Sequence, residues 1–355
     1  MKVFMVHENP WQAGNPYIYT LIEGLQKQYP DCELSWGRDA FWSDDIFSFD
    51  IVHFHWTQTF MGKDSHTESD FLNHIERMKD AGVKIVATCH DLEPHYDQFA
   101  DKAESMKIVY SHCDAIIHLG EYSKTLFEER YPHAKHLLIP HHLYDTVYTH
   151  FPSRAESLKY LGLPEDHSYI LCFGTFRAKQ ERKLIIELSK QLADKNIIIL
   201  APSYMNIWWR SFRLFHKRLM KWYYQYRYNI YCTGRTWRAV SEERLPYYYG
   251  AADVVFIQRV KILNSGNAMM PMLFGKVVVG PDYGNVGPLL RQWDYPVFTV
   301  DDISNIGIVV KEAVQKKNRG IQIRDAQLGV YATNVIAEQL YKAYVELLSM
   351  VSLNL

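Results

Sequence analysis

Three clusters in this chain hold residue types that do chemistry. The first lies in RVKILNSGNAMMPMLFGKVVVGPDYGNVG, residues 259–287, where Ser265, Gly266 and Asn267 precede the uncharged helical run Ala268 to Phe274. A small Ser-Gly pair at a helix N-terminus lets backbone N–H groups approach an anion, and the helix dipole assists. The second is TFRAKQERK, with Arg177, Lys179, Arg182 and Lys183 around a turn and helix start. Cations there would neutralise a diphosphate leaving group, each donor stabilising the transition state by about 3 kcal/mol. A solvated basic helix face is the plainer alternative. The third is CHDLEPHY, which packs His90, Asp91, Glu93 and His95 into six positions. A His-Asp pair can orient a hydroxyl or take its proton. Equally, Asp91 can cap the next turn and His90 can be structural.

All three clusters follow predicted strands, at the edge where open α/β sheets bind ligands. Lys2 to His7 reads as a first strand, followed by the loop ENPWQAGNP and a helix over Tyr17 to Tyr29. Asp50 to Trp56 is a second strand, whose alternation puts His53 and His55 on one face. With no third ligand nearby they read as satisfied side chains rather than a metal pair. A helix over Glu68 to Ala81, a strand over Val83 to Thr88 and a strand over Asp114 to Leu119 follow. Strand and helix alternate five times before residue 145, which predicts a doubly wound parallel sheet. Residues 146–167 are polar and punctuated by proline, as in a linker. A second α/β series starts at Tyr169 to Gly174, includes Asn196 to Leu200 and VVVG, and closes with helices over Asp301 to Gln315 and Asp325 to Leu353.

The chain has 355 residues, 48% hydrophobic and 22% charged, with a formal charge of -1. That is long for one core, suits two domains, and gives no global sign of nucleic-acid binding. Cys32, Cys89, Cys113, Cys172 and Cys232 show no CxxC spacing, so neither zinc site nor disulfide framework is implied. No Asp-x-Asp pair stands in a strand-end context that would hold a metal-bound diphosphate. The apolar run of MKVFMVHENP is too short for a signal peptide, and no window reaches a membrane span, so a cytosolic protein is expected. Residues 204–231, YMNIWWRSFRLFHKRLMKWYYQYRYNIY, are helical in pattern, basic and rich in Trp and Tyr. Two readings fit that segment equally: contact with a membrane interface or lipid-diphosphate acceptor, and a long helix packing its rings inward while its basic stems reach solvent.

The order of motifs resembles family 4 glycosyltransferases. SG before an apolar helix, then FGK, VVV, GP and a glycine-bearing turn, is similar to their donor-sugar segment. DIVHFHW, the His90-Asp91 pair after a strand, PHHLYD, FGTFRAK and EERLPYYYGAADVVF resemble further segments, in the family's order, out to about Leu290. The resemblance implies a GT-B fold: two Rossmann-like doubly wound parallel-sheet domains facing across a cleft. The implied boundaries are an acceptor-side domain at 1–145, a linker at 146–167, a nucleotide-sugar domain at 168–330 and a C-terminal helix at 331–355 packing back on the first domain.

What the resemblance implies for residues is equally specific. Arg177 falls on the family arginine that stabilises the departing diphosphate, while the family lysine falls on Gln180 and its glycine on Glu181, leaving Lys179 or Lys183 to supply the charge. Ser265, Gly266 and Asn267 would contact the phosphates, and Gly234 and Arg235 the nucleobase. His90 would sit beside the donor sugar with Asp91 next to it, and Gly14 and Asn15 near the acceptor or phosphates. Two family glutamates, eight positions apart, fall on Ile262 and Met270. The function implied is transfer of a sugar from a nucleotide-diphosphate sugar to a glycan or lipid-linked acceptor, as in bacterial polysaccharide biosynthesis. It would be metal-independent, cofactor-free and retaining, in the cytoplasm or at the inner face of its membrane. Asp91 acting as base would give inversion instead. A nucleotide-sugar epimerase of this fold, and a non-catalytic glycan-binding or scaffold protein, are the rival expectations.

Overall fold

A computed structural model describes residues 1–12, 15–56, 60, 66–92, 100–176, 178–205, 214–232, 240–316 and 328–349. They form two compact units, Met1–Val147 completed by Gly329–Leu355, and Tyr148–Leu328.

In the first unit the chain runs β1 (Lys2–Val6), α1 (Tyr17–Gln28), β2 (Glu33–Ser35), α2 (Arg38–Trp42), β3 (Ile51–Phe54), α3 (Glu68–Asp80), β4 (Lys84–Cys89), α4 (Ala100–His112), β5 (Ala115–His118), α5 (Glu121–Arg130) and β6 (Lys135–Leu138). The sheet order is β2-β1-β3-β4-β5-β6, and every pairing is parallel. Strands β3 and β5 (IVHF and AIIH) are buried throughout, as strands covered on both faces must be. Winding reverses between β1 and β3, so the loops leaving those strands diverge and open a crevice at their carboxyl ends. Helix α1 buries Tyr17, Ile18, Leu21, Ile22 and Leu25. The C-terminal helix Thr333–Ser349 packs on it, and Gly24 permits the approach, since a Cβ there would lie 3.2 Å from Ala337 Cβ. The Asp145 carboxylate anchors that helix, accepting from Thr333 N–H at 2.9 Å and from its hydroxyl at 2.5 Å.

The second unit runs α6 (Arg154–Leu161), β7 (Ser168–Leu171), α7 (Lys179–Leu192), β8 (Ile197–Leu200), α8 (Leu214–Tyr228), β9 (Ile230–Tyr231), α9 (Leu245–Ala251), β10 (Val254–Phe256), α10 (Gly266–Leu273), β11 (Val277–Pro281), α11 (Val286–Gln292), β12 (Val297–Phe298) and α12 (Ile306–Lys316). Its all-parallel order, β12-β11-β10-β7-β8-β9, is the dinucleotide-fold order with its reversal between β7 and β10.

Two segments differ from the sequence expectation. Helix α6 stands inside the stretch expected to be a linker. The Ser153 hydroxyl caps it by accepting from Glu156 N–H, and Gly162 ends it at φ 67. It packs on α9 across Gly250, where a Cβ would lie 2.9 Å from Pro152 O. The aromatic segment expected to be helical to Tyr231 stops at Tyr228, because Asn229 turns left-handed (φ 52) and the chain enters β9.

Candidate functional site

In the second unit the reversal point is closed by one carbonyl. Phe173 O, just beyond β7, accepts from Gln258 Nε2 at 3.1 Å and from Asn267 Nδ2 at 2.9 Å. It thereby ties the loop after β10 and the first turn of α10 to the end of β7. Gly174 sits at φ 92, and a Cβ would stand 3.0 Å from Asn267 Nδ2, so the backbone must be bare here. Ser265 is the N-cap of α10 in extended geometry (φ -144), and its hydroxyl makes no capping bond. The first N–H groups of the helix, at Gly266 and Asn267, have no intrahelical acceptor. Asn267 is thus a bracket that aims the helix start, and Ser265 and Gly266 form a turn whose backbone N–H groups are left without intrahelical acceptors.

A second loop braces this one. Asn285 N–H donates to Leu263 O (2.9 Å) and Asn285 Nδ2 to Asn264 Oδ1 (2.8 Å). Gly284 (φ 57) packs so closely that a Cβ would fall 2.8 Å from Ile262 O. Ile262 and Met270, where the resemblance puts glutamates, are each only 7% exposed. A carboxylate at either place would be desolvated without a partner, so apolar side chains fit this loop as it is packed.

The basic cluster is divided among different tasks. Lys179 opens α7 and is exposed. Arg182 spends its guanidinium on Tyr204 O (3.1 Å) and Phe176 O (3.1 Å), bracing the loops around it. Lys183 lines a 510 Å³ surface groove together with Glu187, Lys190, Asp301 and Asp302. Glu181, 5% exposed, pairs with Arg259 at 3.0 Å, and Arg259 also donates to Thr175 O at 3.4 Å. The sequence reading gave Arg259 and Gln258 no role, although both stand at this loop. Arg177, Gly234 and Arg235 lie outside the described residues.

In the first unit the reversal point carries a cluster of aromatic and imidazole rings. His90 stacks on Trp56 (centroids 4.7 Å, planes 19° apart), meets Tyr17 edge-on at 5.0 Å, and places Nε2 3.4 Å from His55 Nδ1. Tyr17 in turn stacks on His142 (4.8 Å) and touches His141 (4.7 Å). Asn15 Oδ1 accepts from Tyr17 N–H (3.1 Å) and from the Tyr144 hydroxyl (3.4 Å), so Asn15 builds the start of α1. Gly14 beside it, and Glu93 and His95, lie outside the described residues. Asp91 follows β4 half-buried, its carbonyl 3.8 Å from Cys89 Sγ. His53 is a satisfied core residue, bonded to the Tyr344 hydroxyl (2.5 Å) and Thr88 Oγ1 (2.8 Å). His55 Nε2 and His7 Nδ1 are buried with no hydrogen-bond partner among the described residues.

These imidazoles are neutral. Burial, then the neighbouring His141, pushes His90 down to about 3. His53 and His141 are driven to about 3 and His142 to about 4, burial again leading, and His55 goes well below its ordinary value. A ring this reluctant to bind a proton is a poor general base at neutral pH but a good hydrogen-bond donor or acceptor. Tyr17 is buried at 3% exposure under these rings, whereas Trp56 and His90 are half-buried and keep an accessible edge. Sequence reasoning missed Tyr17, Trp56, His141 and His142 here. The signal lies in PHHLYD and DIVHFHW, which each place histidines and aromatic residues together at or just beyond a strand. Among the described residues no group of three or more His, Cys, Asp or Glu is arranged to hold a metal ion.

No protein-family model matches the sequence, and no curated protein matches it. Among solved structures, sucrose-phosphate synthase from Thermosynechococcus elongatus is similar over 98% of this chain and 99% of that one, with a TM-score of 0.70 at 14% identity. Anabaena HepE in complex with UDP is similar over 98% and 100%, with a TM-score of 0.66 at 14% identity. The fold is GT-B. A Listeria monocytogenes protein described as a UDP-N-acetylglucosamine 2-epimerase shares the GT-B chain path over 96% and 95%, with a TM-score of 0.57 at 10% identity.

Proposed function

We propose that this GT-B protein is a glycosyltransferase that moves a sugar from a nucleotide-diphosphate sugar to a glycan or lipid-linked acceptor, retaining configuration and using no metal ion. The observation that carries the proposal is the closed reversal point of the second sheet. There the bare helix start at Ser265 and Gly266 is held by Asn267 against Phe173 O, beside the Gly174 turn. A helix N-terminus at the carboxyl edge of such a sheet is the standard place for a phosphate. The fold is shared with HepE, whose structures hold UDP and UDP-glucose. The diphosphate would be met by that turn together with Lys179 and Arg177, and the base by the segment with Gly234 and Arg235. In the first unit, neutral His90 would donate a hydrogen bond to a sugar hydroxyl, with Trp56 fixing its plane.

The test is a thermal-shift panel with UDP, GDP, ADP, CMP and TDP, run with EDTA, on wild type and on Ser265→Asp. Aspartate is as good an N-cap as serine, so the variant folds while its carboxylate repels phosphate. A nucleotide at 100 times its dissociation constant adds about 2.7 kcal/mol of stability, which the variant should lose. No shift with any nucleotide would support the non-catalytic scaffold. The similarity to the Listeria protein keeps the epimerase as a second reading: epimerised donor formed without acceptor would favour it.

A further inference from the structure

Helix α8 (LFHKRLMKWYYQYRY) turns large rings toward solvent. Leu219, Trp222, Tyr223 and Tyr226 are 48%, 62%, 45% and 80% exposed. Their spacing of i, i+3, i+4 and i+7 makes them one continuous stripe. Trp222 and Tyr226 stack with centroids 5.3 Å apart and planes 7° apart, so the outer surface is a flat aromatic plate. The opposite side of the helix is seated. Tyr224 meets Tyr204 edge-on at 5.0 Å, and the Ser189 hydroxyl of α7 donates to Tyr228 O at 2.5 Å.

Charge settles what such a stripe fits. The helix carries Lys217, Arg218, Lys221 and Arg227 and not one Asp or Glu. Arg218 and Arg227 are exposed and flank the rings. A second copy of the chain would bring cations against cations. A bilayer interface satisfies both features: Trp and Tyr rings settle at headgroup depth, and cations gain about 1 kcal/mol each near an anionic surface. No described helix is long and apolar enough to cross a membrane, so the contact is one that lies on the surface. We propose that α8 docks this protein on anionic lipid bilayers, with the Leu219–Trp222–Tyr223–Tyr226 stripe buried in the interface. This goes beyond the nucleotide-sugar reading and does not depend on it.

The experiment is flotation of the full chain with phosphatidylcholine vesicles and with vesicles that also contain phosphatidylglycerol. Wild type should float with the anionic vesicles and weakly with the neutral ones. Arg218→Gln with Arg227→Gln should lower the anionic partition about 25-fold, about fivefold per charge. Trp222→Ser with Tyr226→Ser should remove the part of the binding that survives high salt. All three proteins should give the same nucleotide thermal shifts, which separates failure here from failure of the donor site. Wild type that stays unbound, or floats no better than the stripe variant, overturns the proposal. So does a dimer in size-exclusion chromatography that the stripe variant converts to monomer, because the stripe would then belong to a second copy.

Discussion

Acidification is the perturbation to which the first unit should respond most sharply, because four of its histidines are 0–2% exposed: His53, His55, His118 and His142. Burial drives His53 and His118 to about 3 and His142 to about 4, and His55 well below its ordinary value. In the unfolded chain each binds a proton as the pH falls through about 6.5. The unfolded state therefore holds more protons than the folded one, and stability rises with pH across this window. The stabilisation is complete above about pH 6.5 and is lost progressively down to the folded values near 3 to 4. Each group loses about 1.4 kcal/mol between about pH 7.5 and about pH 5.5, so the four together lose about 5 kcal/mol. His90 and His141, also driven to about 3, add comparable losses of their own. Against a typical domain stability of about 5–15 kcal/mol, that is a third or more of the total. The melting temperature of the first unit should fall by about 10–20 °C over this range. Calorimetry at several pH values, with proton uptake on unfolding measured in buffers of different ionisation enthalpy, reads both quantities. About four to six protons should be taken up near pH 5.5, and about one fewer in His118→Gln. Uptake of less than one proton, or a first-unit transition that does not move, would refute the argument that these rings are held neutral by burial.

Gly284→Ala should cost about 1–3 kcal/mol in urea unfolding, because its φ of 57 and the 2.8 Å approach to Ile262 O leave no place for a methyl. Glu181→Ala should destabilise the second unit by about 1–3 kcal/mol by orphaning Arg259, and Glu181→Ala with Arg259→Met should recover much of that loss in the same assay. On the proposed activity, His90→Ala should lower kcat/KM by about 10²-fold while leaving nucleotide thermal shifts unchanged. Since His90 is already neutral, the wild-type rate should show no ionisation of this ring near pH 6.5, and a limb there that the variant abolishes would contradict that role.

Much of the fold was legible because parallel strands announce themselves. IVHF, AIIH and VVV are apolar runs bounded by turns, each followed by a helix, and all became central strands. The edges were less legible. ELS at β2 and VF at β12 are too short to stand out from loops and become strands only by pairing with β1 and β11. Helix α6 was hidden by the polarity of its surroundings. Its Ser153 cap and Gly162 stop were written in the sequence, yet what holds it is packing on α9 across Gly250, which no local pattern reveals.

The site divides along the same physical line. Backbone features were legible: a helix start at Ser265 and Gly266, and a turn at Gly284, follow from residue types that admit only a few conformations. Side-chain partnerships across the sheet were not. The basic cluster at the start of α7 looks uniform as text, but burial sorts its members. Arg182 goes to two carbonyls, and Lys183 lines a groove with Glu187, Lys190, Asp301 and Asp302, so Lys179 alone among the three stays at the helix start. The histidines show the converse. His55, His90, His141 and His142 follow three separate strands, β3, β4 and β6, and they converge on Tyr17 at the start of α1. Their shared neutrality belongs to that convergence, since each ring excludes water from the next. An imidazole alone on a loop would titrate near 6.5, whereas the same imidazole inside this cluster stays neutral and offers one donor and one acceptor. That is why His90, whose sequence neighbours allow it either to orient a hydroxyl or to take its proton, is in its folded surroundings better suited to hydrogen bonding than to proton transfer.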